Sequence, residues 1–501
     1  MAGTMTSLSR TDNCVGRCRG ATIHRIRIDK ARPRRVRPVL LAIAIGAALA
    51  AGACTSSERE ATSSPGAPAA ESSTSAEEST EAPTTTSLAS SEPPPLGDSF
   101  RGVTADAISV GVPFIDFALL EELGFEQPDY GDGPATMQAL VDELNDQGGV
   151  LGRQVELHMP LYNVANAVDA EAVCVEMMED VGVFAVLGGF FAPVDTVNTC
   201  ITDTYEAVLL SQPASGPMSR SAPAPWIQLL PSYERQDQAL VDLAHAEGLL
   251  ADQVVAVYGL AGTEERVAAT ADHLRELGVV VPLEYADIDP GDPTEDSALW
   301  AVRAEQMAEA GVTAAVVVGS ASWPIDQIID TGLAVQVLTS DPLLNLQGTF
   351  GRHDDEAYRG IIGLAGPTYD EMWADEAIKD CIEAVERRLD LEILPPDEVP
   401  EGEPNWAIGV IGNCRMLALF EAVAKAAGPE LTNDSFRGAV HGMGEFALPG
   451  STAGLPDGEV AVASLGPDKY DAENVRRLGV FDPDIGANGD IAPLTDLAPI
   501  G

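Results

Sequence analysis

Cysteine is the residue type whose placement in this sequence promises chemistry. Cys54 stands directly behind the apolar run Val39–Ala53, which ends in the small residues Ala51-Gly52-Ala53; a thiol there can be acylated and hold the chain to a lipid surface. Cys14 and Cys18 lie in the leader ahead of it. The other four, Cys174, Cys200, Cys381 and Cys414, form an even set, and in an exported chain four cysteines pair in one of three ways. No histidine lies near either neighbouring pair, which argues against a Cys/His metal site.

The groups that would do catalysis are not arranged for it. There is no G-x-S-x-G elbow, no H-E-x-x-H, no G-x-x-x-x-G-K-[ST] loop and no G-x-G-x-x-G behind a strand. His158, His245, His273, His353 and His441 are scattered, as surface and strand-edge histidines are. Asp482, Asp484, Asn488 and Asp490 imitate an oxygen-rich calcium loop, but the glycine is misplaced and the bidentate Glu is missing, so a solvated terminal loop is expected there. The sequence therefore reads as that of a binding protein with no enzymatic activity, no cofactor and no metal.

Charge and leader say where such a protein works. Residues 1–53 carry ten Lys/Arg and two acids, a net of +8, so the chain's net of −49 leaves −57 for residues 54–501. That field disfavours nucleic acid and anionic headgroups as partners. Arg32, Arg34, Arg35 and Arg37 precede the Val39–Ala53 run, which is shorter than the roughly 20 residues of a membrane span. Basic stretch, apolar stretch and small residues make a secretory signal, and Ala51-Gly52-Ala53-Cys54 resembles a bacterial lipobox with Ala51 where Leu is usual. Residues 55–97 are rich in Ser, Thr, Glu, Pro and Ala with almost nothing to bury, so the stretch 54–97 is read as a disordered tether spanning roughly 35 Å on average.

From Ala107 onward short apolar runs alternate with amphipathic stretches. Strands are predicted at Ile108–Val112, Gln154–Met159, Val183–Leu187, Val208–Leu210, Val254–Tyr258, Val279–Leu283, Ala314–Val318, Val335–Leu338 and Gly360–Leu364. Helices are predicted at Pro134–Asn145, Val168–Asp180, Asp195–Tyr205, Glu234–Glu247, Glu264–Leu277, Ser297–Ala310, Asp375–Leu389, Asn405–Ala427 and Asn433–Met443. Strands alternating with helices of that length make right-handed βαβ units and parallel sheets. Ligands of such sheets sit outside the carboxyl ends of the strands, which singles out the loops after Val112, Leu187, Leu210, Tyr258, Val318 and Leu338.

The stretch Leu144-Asn145-Asp146-Gln147-Gly148-Gly149-Val150-Leu151-Gly152-Arg153 resembles the I-N-x-x-G-G-V-x-G-R turn of branched-chain amino-acid-type (leucine-binding-protein-like, type I) periplasmic binding proteins. RGVTADAISVGVPF, LLSQPASG and APWIQLLPSYERQ follow the family's order, as do the late helix pair AIGVIGNCRMLALFEAVAKAAGPELTNDSFRGAV and the closing SLGPDKYDAENVRRLGVFD. The similarity runs over roughly residues 100–485. It implies an α/β fold of two Rossmann-like lobes joined by three crossovers, closing over ligand by hinge motion. The implied organisation is a signal over residues 1–53, the tether over 54–97, lobe one over 98–230 and 363–446, and lobe two over 231–362 and 447–501. The resemblance also favours the pairings Cys174–Cys200 and Cys381–Cys414.

For function the resemblance implies a monomeric extracytoplasmic receptor, anchored by its lipid, that delivers a small molecule to an ABC transporter permease; a sensory lipoprotein of the same fold is the alternative. Family members that bind amino acids hold the carboxylate with lobe-one hydroxyls and the ammonium with a lobe-two acid. Here Gly188-Gly189-Phe190-Phe191-Ala192-Pro193 stands where the family has a Ser-Ser, and Leu260-Ala261 replaces its lobe-two Tyr-Gly. The implied contacts are therefore Tyr130, Phe190, Phe191, Ala192, Ser211 and Gln212 from lobe one, with Ser320, Trp323 and Asp341 from lobe two. Two aromatic rings in place of two hydroxyls point to a ligand more apolar or aromatic than a branched-chain amino acid, an amide or acid among them.

Overall fold

The computed structural model describes residues 96–501 except 123–128, 165, 191–193, 289–292, 320–321, 342–354, 401, 452–462 and 486–489. The signal, Cys54 and the tether as far as residue 95 lie outside the described residues.

The apolar runs become two sheets. In the first, β1 (Ala107–Gly111), β3 (Gln154–His158), β5 (Ala185–Gly188), β6 (Val208–Ser211) and β7 (Trp226–Gln228) lie in the order β3-β1-β5-β6-β7, all parallel. Short strands β2 (Phe114–Ile115) and β4 (Leu161–Tyr162) pair beyond the ends of β1 and β3. In the second sheet, β8 (Val254–Leu260), β9 (Val280–Ile288), β10 (Ala314–Val317), β11 (Gln336–Thr339) and β12 (Ile362–Ala365) run parallel in the order β9-β8-β10-β11-β12. Antiparallel β15 (Val475–Asp482), β16 (Asp490–Pro493) and β17 (Ala498–Pro499) extend that sheet beyond β12. Counted along each lobe, both parallel sheets have the order second, first, third, fourth, fifth. Their topological switch points fall between β1 and β5 and between β8 and β10, where a doubly wound sheet opens a crevice.

Parallel sheets need cover on both faces, which is why these strands read as unbroken apolar runs. On one face of the first sheet Ile108, Val110, Leu187 and Leu210 pack with helices Gly133–Asp146, Glu376–Leu389, Trp406–Ala427 and Asn433–Met443. On the other, Val186, Leu209 and Trp226 meet helix Ala167–Val175. The second sheet is covered by helices Tyr233–Ala246 and Glu264–Glu276 on one side and by Trp300, Met307, Ile325 and Ile328 on the other. Helix Trp406–Ala427 is long and apolar enough to cross a membrane, yet 61% of its most apolar window is buried inside the protein, which makes it the spine of lobe one.

Arg153 explains the glycine-rich turn. A Cβ on Gly149, whose φ is +65°, would stand 1.9 Å from the Arg153 carbonyl oxygen, so only glycine fits. The turn delivers Arg153 into the interior, fully buried, where Nε donates to the Thr104 carbonyl at 2.7 Å and Nη2 to that of Gly97 at 3.1 Å. The start of the described chain, at Gly97 and Thr104, is thereby clasped to the lobe.

The structure joins Cys174 to Cys200 (Cα–Cα 6.5 Å) and Cys381 to Cys414 (6.2 Å), so each bridge ties two helical segments of lobe one.

Three connections link the lobes, at Leu229–Ser232, Gly366–Thr368 and Gly466–Asn474. Two boundaries differ from the expectation. Lobe two runs to Ala365, because β12 pairs with β11. Lobe one continues past residue 446: β13 (Gly444–Phe446) pairs with β14 (Ala463–Leu465), and Leu448, Ala463 and Leu465 sit in its core. Several elements went unanticipated, the eight-residue strand Val475–Asp482 among them, and three of them have a local reason. Strand Trp226–Gln228 is masked by the prolines just before it, helix Gly216–Ser221 by its Gly-Pro start, and helix Ser322–Asp330 by Pro324.

Candidate functional site

Four of the nine anticipated residues stand at the carboxyl ends of strands, Phe190, Ser211 and Gln212 on lobe one and Asp341 on lobe two. On lobe one, Gly188 closes β5 ahead of Gly189-Phe190, and Ser211 closes β6 ahead of Gln212. Phe190 corrects the expectation of a cleft wall. Its side chain is 2% exposed, its ring packs edge-on to Tyr162 at 5.0 Å, and Asn198 clamps its backbone through both N–H and carbonyl. An aromatic at this position fills the layer behind the sheet. The Ser211 hydroxyl is similarly engaged, accepting from Trp226 Nε1 at 2.8 Å and donating to the Gln212 carbonyl at 2.7 Å. Gln212 is exposed. Phe191 and Ala192 lie outside the described residues. Tyr130 is half-buried just before helix Gly133–Asp146, beside Gly131 and the Trp406 ring; burial, and then the Asp490 carboxylate of lobe two, hold its phenol above the ordinary range.

On lobe two, Asp341 is half-buried one residue past Ser340 at the end of β11, and its backbone N–H donates to Thr339 Oγ1 at 3.3 Å. Trp323 falls in helix Ser322–Asp330, and Ser320 lies outside the described residues. The sequence reading missed the group beside them. Arg266, in the first turn of the helix that opens after β8, donates from Nε and Nη2 to Asp237 Oδ2 and Oδ1 at 2.8 and 3.0 Å. The Tyr233 ring lies 4.8 Å from the guanidinium carbon, and the Ser340 side chain also bonds Asp237. Burial pushes the Asp237 carboxyl up against the pull of Arg266. Next along the chain, Glu234 crosses to lobe one, accepting from Ser215 Oγ at 3.0 Å and the Gly216 N–H at 2.7 Å. The available signal was APWIQLLPSYERQ, which marks where the chain enters lobe two; nothing nearby in sequence marks Arg266 as its companion.

A second polar group lies on the connections. Glu473 is held by Arg415 from lobe one (Nη2 to Oε1, 2.6 Å) and by Arg476 from lobe two, all three buried. Burial opposes the Glu473 carboxylate, but Arg476 and Arg415 overcome it and hold its pKa below the ordinary range. Beside it, Arg235 and Lys469 converge on Asp471. The first and third connections run side by side: Gln228 N–H donates to the Tyr470 carbonyl at 2.7 Å and Ala472 N–H to that of Gln228 at 2.9 Å.

The oxygen-rich tail is engaged differently. Asp482 and Asp484 both pair with Arg359, and Asn488 lies outside the described residues. Among the described residues no group of three His, Cys, Asp or Glu side chains is placed to hold a metal.

The family profile of the periplasmic binding proteins matches residues 131–464, about two thirds of the chain. No curated protein matches by sequence. Solved structures of the same fold include an ABC transporter substrate-binding protein from Desulfitobacterium hafniense in complex with leucine, 14% identical with a TM-score of 0.52, covering 77% of this chain and 100% of that one. A solute-binding protein of an ABC transporter from R. palustris, in complex with 4-hydroxybenzoate, is 12% identical with a TM-score of 0.54 over 79% of this chain and 98% of that one. A leucine-, isoleucine-, valine-, threonine- and alanine-binding protein from Brucella ovis in a closed conformation is 14% identical with a TM-score of 0.52, covering 79% and 95%.

Proposed function

The chain belongs to the periplasmic binding protein family, a family of binding proteins and not of enzymes, and from that premise we propose that it is an extracytoplasmic solute-binding lipoprotein that captures a small organic ligand between its lobes and hands it to the permease of an ABC importer. One observation carries the reading. Two sheets of the same doubly wound order are joined by three short connections, two of which leave directly from the carboxyl ends of β7 and β12, and this supports an architecture that encloses a ligand by hinge closure. The ligand class is an amino acid or an aromatic or aliphatic acid. Structural relatives hold leucine and 4-hydroxybenzoate, and the positions of Gln212 and Asp341 just past β6 and β11 support that class. The run into Cys54 and the tether behind it support a lipid anchor with slack to reach a permease.

A thermal-shift screen of the purified protein against amino acids and small aromatic and aliphatic acids tests this. A ligand of the native state adds RT ln(1 + [L]/Kd), about 2.7 kcal/mol at one hundred times Kd. At least one compound of these classes should raise the unfolding midpoint in a saturable way. A midpoint indifferent to every one of them sinks the reading.

A further inference from the structure

Arg266 stands at the switch point of lobe two, between the carboxyl ends of β8 and β10. A guanidinium carries five N–H groups in one plane, disposed along edges that each accept a carboxylate bidentately. Asp237 occupies the edge formed by Nε and Nη2. The other edge, formed by Nη1 and the remaining Nη2 hydrogen, points past Gly319 at the end of β10: a Cβ built on Gly319 would stand 3.2 Å from Nη1. Any residue larger than glycine would crowd this edge. Among the described residues no acceptor meets Nη1, and the Arg266 side chain retains 13% exposure. The opposite wall is close, because Glu234, adjacent to Tyr233, is already bonded to Ser215 and Gly216 of lobe one. The open edge therefore looks into the space between the lobes.

We propose that this edge is the subsite for a carboxylate on the ligand, gripped bidentately by Arg266, with Asp237 and Tyr233 as the residues that position the guanidinium. The proposal rests on the solute-binding reading and narrows it to acids, plain or amino. An ion pair that served lobe two alone would have both guanidinium edges satisfied or sealed; here one is satisfied and the other faces the cleft. The Asp237 contact fixes the plane of the fork and Tyr233 covers one of its faces, so little orientation remains to be lost when a carboxylate arrives. The Glu234 charge is near, but the Ser215 hydroxyl and the Gly216 N–H already hold its two oxygens.

The test compares acids with their neutral amides on the full-length protein by calorimetric titration: benzoate with benzamide, 4-methylpentanoate with 4-methylpentanamide, and L-leucine with L-leucinamide. The acid that binds should do so at least about 30-fold more tightly than its amide. Arg266→Gln should bring the acid down to the level of the amide. Arg266→Lys should keep part of the preference, since a point charge remains but the fork is gone. Because Arg266→Gln leaves Asp237 buried and unpaired, the double variant Arg266→Gln/Asp237→Asn is measured beside it. With both charges removed it should melt close to the wild type and still have lost the acid preference. Acid binding unchanged in either variant, or a wild type that prefers the amides, overturns the carboxylate subsite. Neither result touches solute binding itself, which fails only if no compound of the wider screen shifts the wild-type midpoint.

Discussion

Arg415 donates Nη2–H to Glu473 Oε1 at 2.6 Å across 58 positions of sequence, and both side chains are buried where the third connection enters lobe two. Arg476, two residues into lobe two's β15, takes the other oxygen, so one carboxylate is held from both lobes at once. Gly366 of the second connection lies against the same pair, since a Cβ there would be 3.2 Å from Arg476 Nη1. The Glu473 N–H donates to the Leu229 carbonyl of the first connection at 3.2 Å. All three connections thus meet at one residue. Glu473→Ala strands two buried guanidinium groups and should cost about 3–5 kcal/mol of stability. Urea unfolding of the two proteins measures it, and an unshifted midpoint would show that the network contributes nothing net.

Lys469 gives the same region a pH dependence. Burial pushes its ammonium down to about 8, against the pull of Asp471, from the roughly 10.4 of an unfolded chain. Between those values the folded protein binds fewer protons here than the unfolded one, so stability rises with pH through that window. Below about pH 8 the charged form carries the full burial penalty, and above about 10.4 none of it remains. Lys469→Met removes the titration. The wild type should gain up to about 3 kcal/mol on the variant as pH is raised across the window. Parallel stability curves for the two would contradict a depressed lysine.

Much of this fold was legible because its signals are local. Nine predicted strands and nine predicted helices overlap elements of the structure, since a buried parallel strand is an unbroken apolar run and its covering helix an amphipathic one. The polar machinery was not legible, because its partners meet only through the fold. Asp471-Ala472-Glu473-Asn474 and Arg476-Arg477 read locally as a solvated run, and Glu264-Glu265-Arg266 as an ordinary helix start. One clue was present. Arg415 is the sole charge between Trp406 and Phe420 of an apolar helix, and a charge in such a place requires a buried partner. Phe190 failed for the complementary reason: an aromatic at a strand end looks the same in sequence whether it faces the cleft or the layer behind it.

Both disulfides lie wholly within lobe one, closing separations of 26 and 33 residues. Non-reducing peptide mapping should recover Cys174 with Cys200 and Cys381 with Cys414. In the chain-entropy account each bridge adds about 3–4 kcal/mol. Cys381→Ser/Cys414→Ser should lose about that much, because it also loosens the Glu376–Leu389 helix from the Trp406–Ala427 spine. Free thiols at all four positions would contradict both the pairing and an oxidising compartment.

Attachment to the membrane is tested at Cys54. The native protein should fractionate with membranes and Cys54→Ser should release it, since acyl chains at about 0.8 kcal/mol per buried CH₂ are then the whole of its hold. A serine variant that stays bound would make Val39–Ala53 an uncleaved anchor instead.

Asp341 decides whether the ligand carries an amine. It stands one residue past Ser340, whose side chain bonds Asp237, and Asp237 in turn holds Arg266, so an acid and a guanidinium share the same edge of lobe two. An amino acid would satisfy both, its carboxylate on Arg266 and its ammonium on Asp341; a plain acid would need Arg266 alone. Removing one partner of a buried charged hydrogen bond costs about 2–5 kcal/mol, so Asp341→Ala should weaken an amine-bearing ligand by a factor of roughly 30 to several thousand. Binding of a plain acid such as benzoate should hardly change. If Asp341 serves only as a turn former ahead of Pro342, its alanine variant should lose up to about 2 kcal/mol of stability and bind every ligand as the wild type does. Titration of both proteins with L-leucine and with its des-amino analogue 4-methylpentanoate separates the cases. A dissociation constant for leucine that ignores the substitution removes Asp341 from the site and leaves recognition on this wall to Arg266.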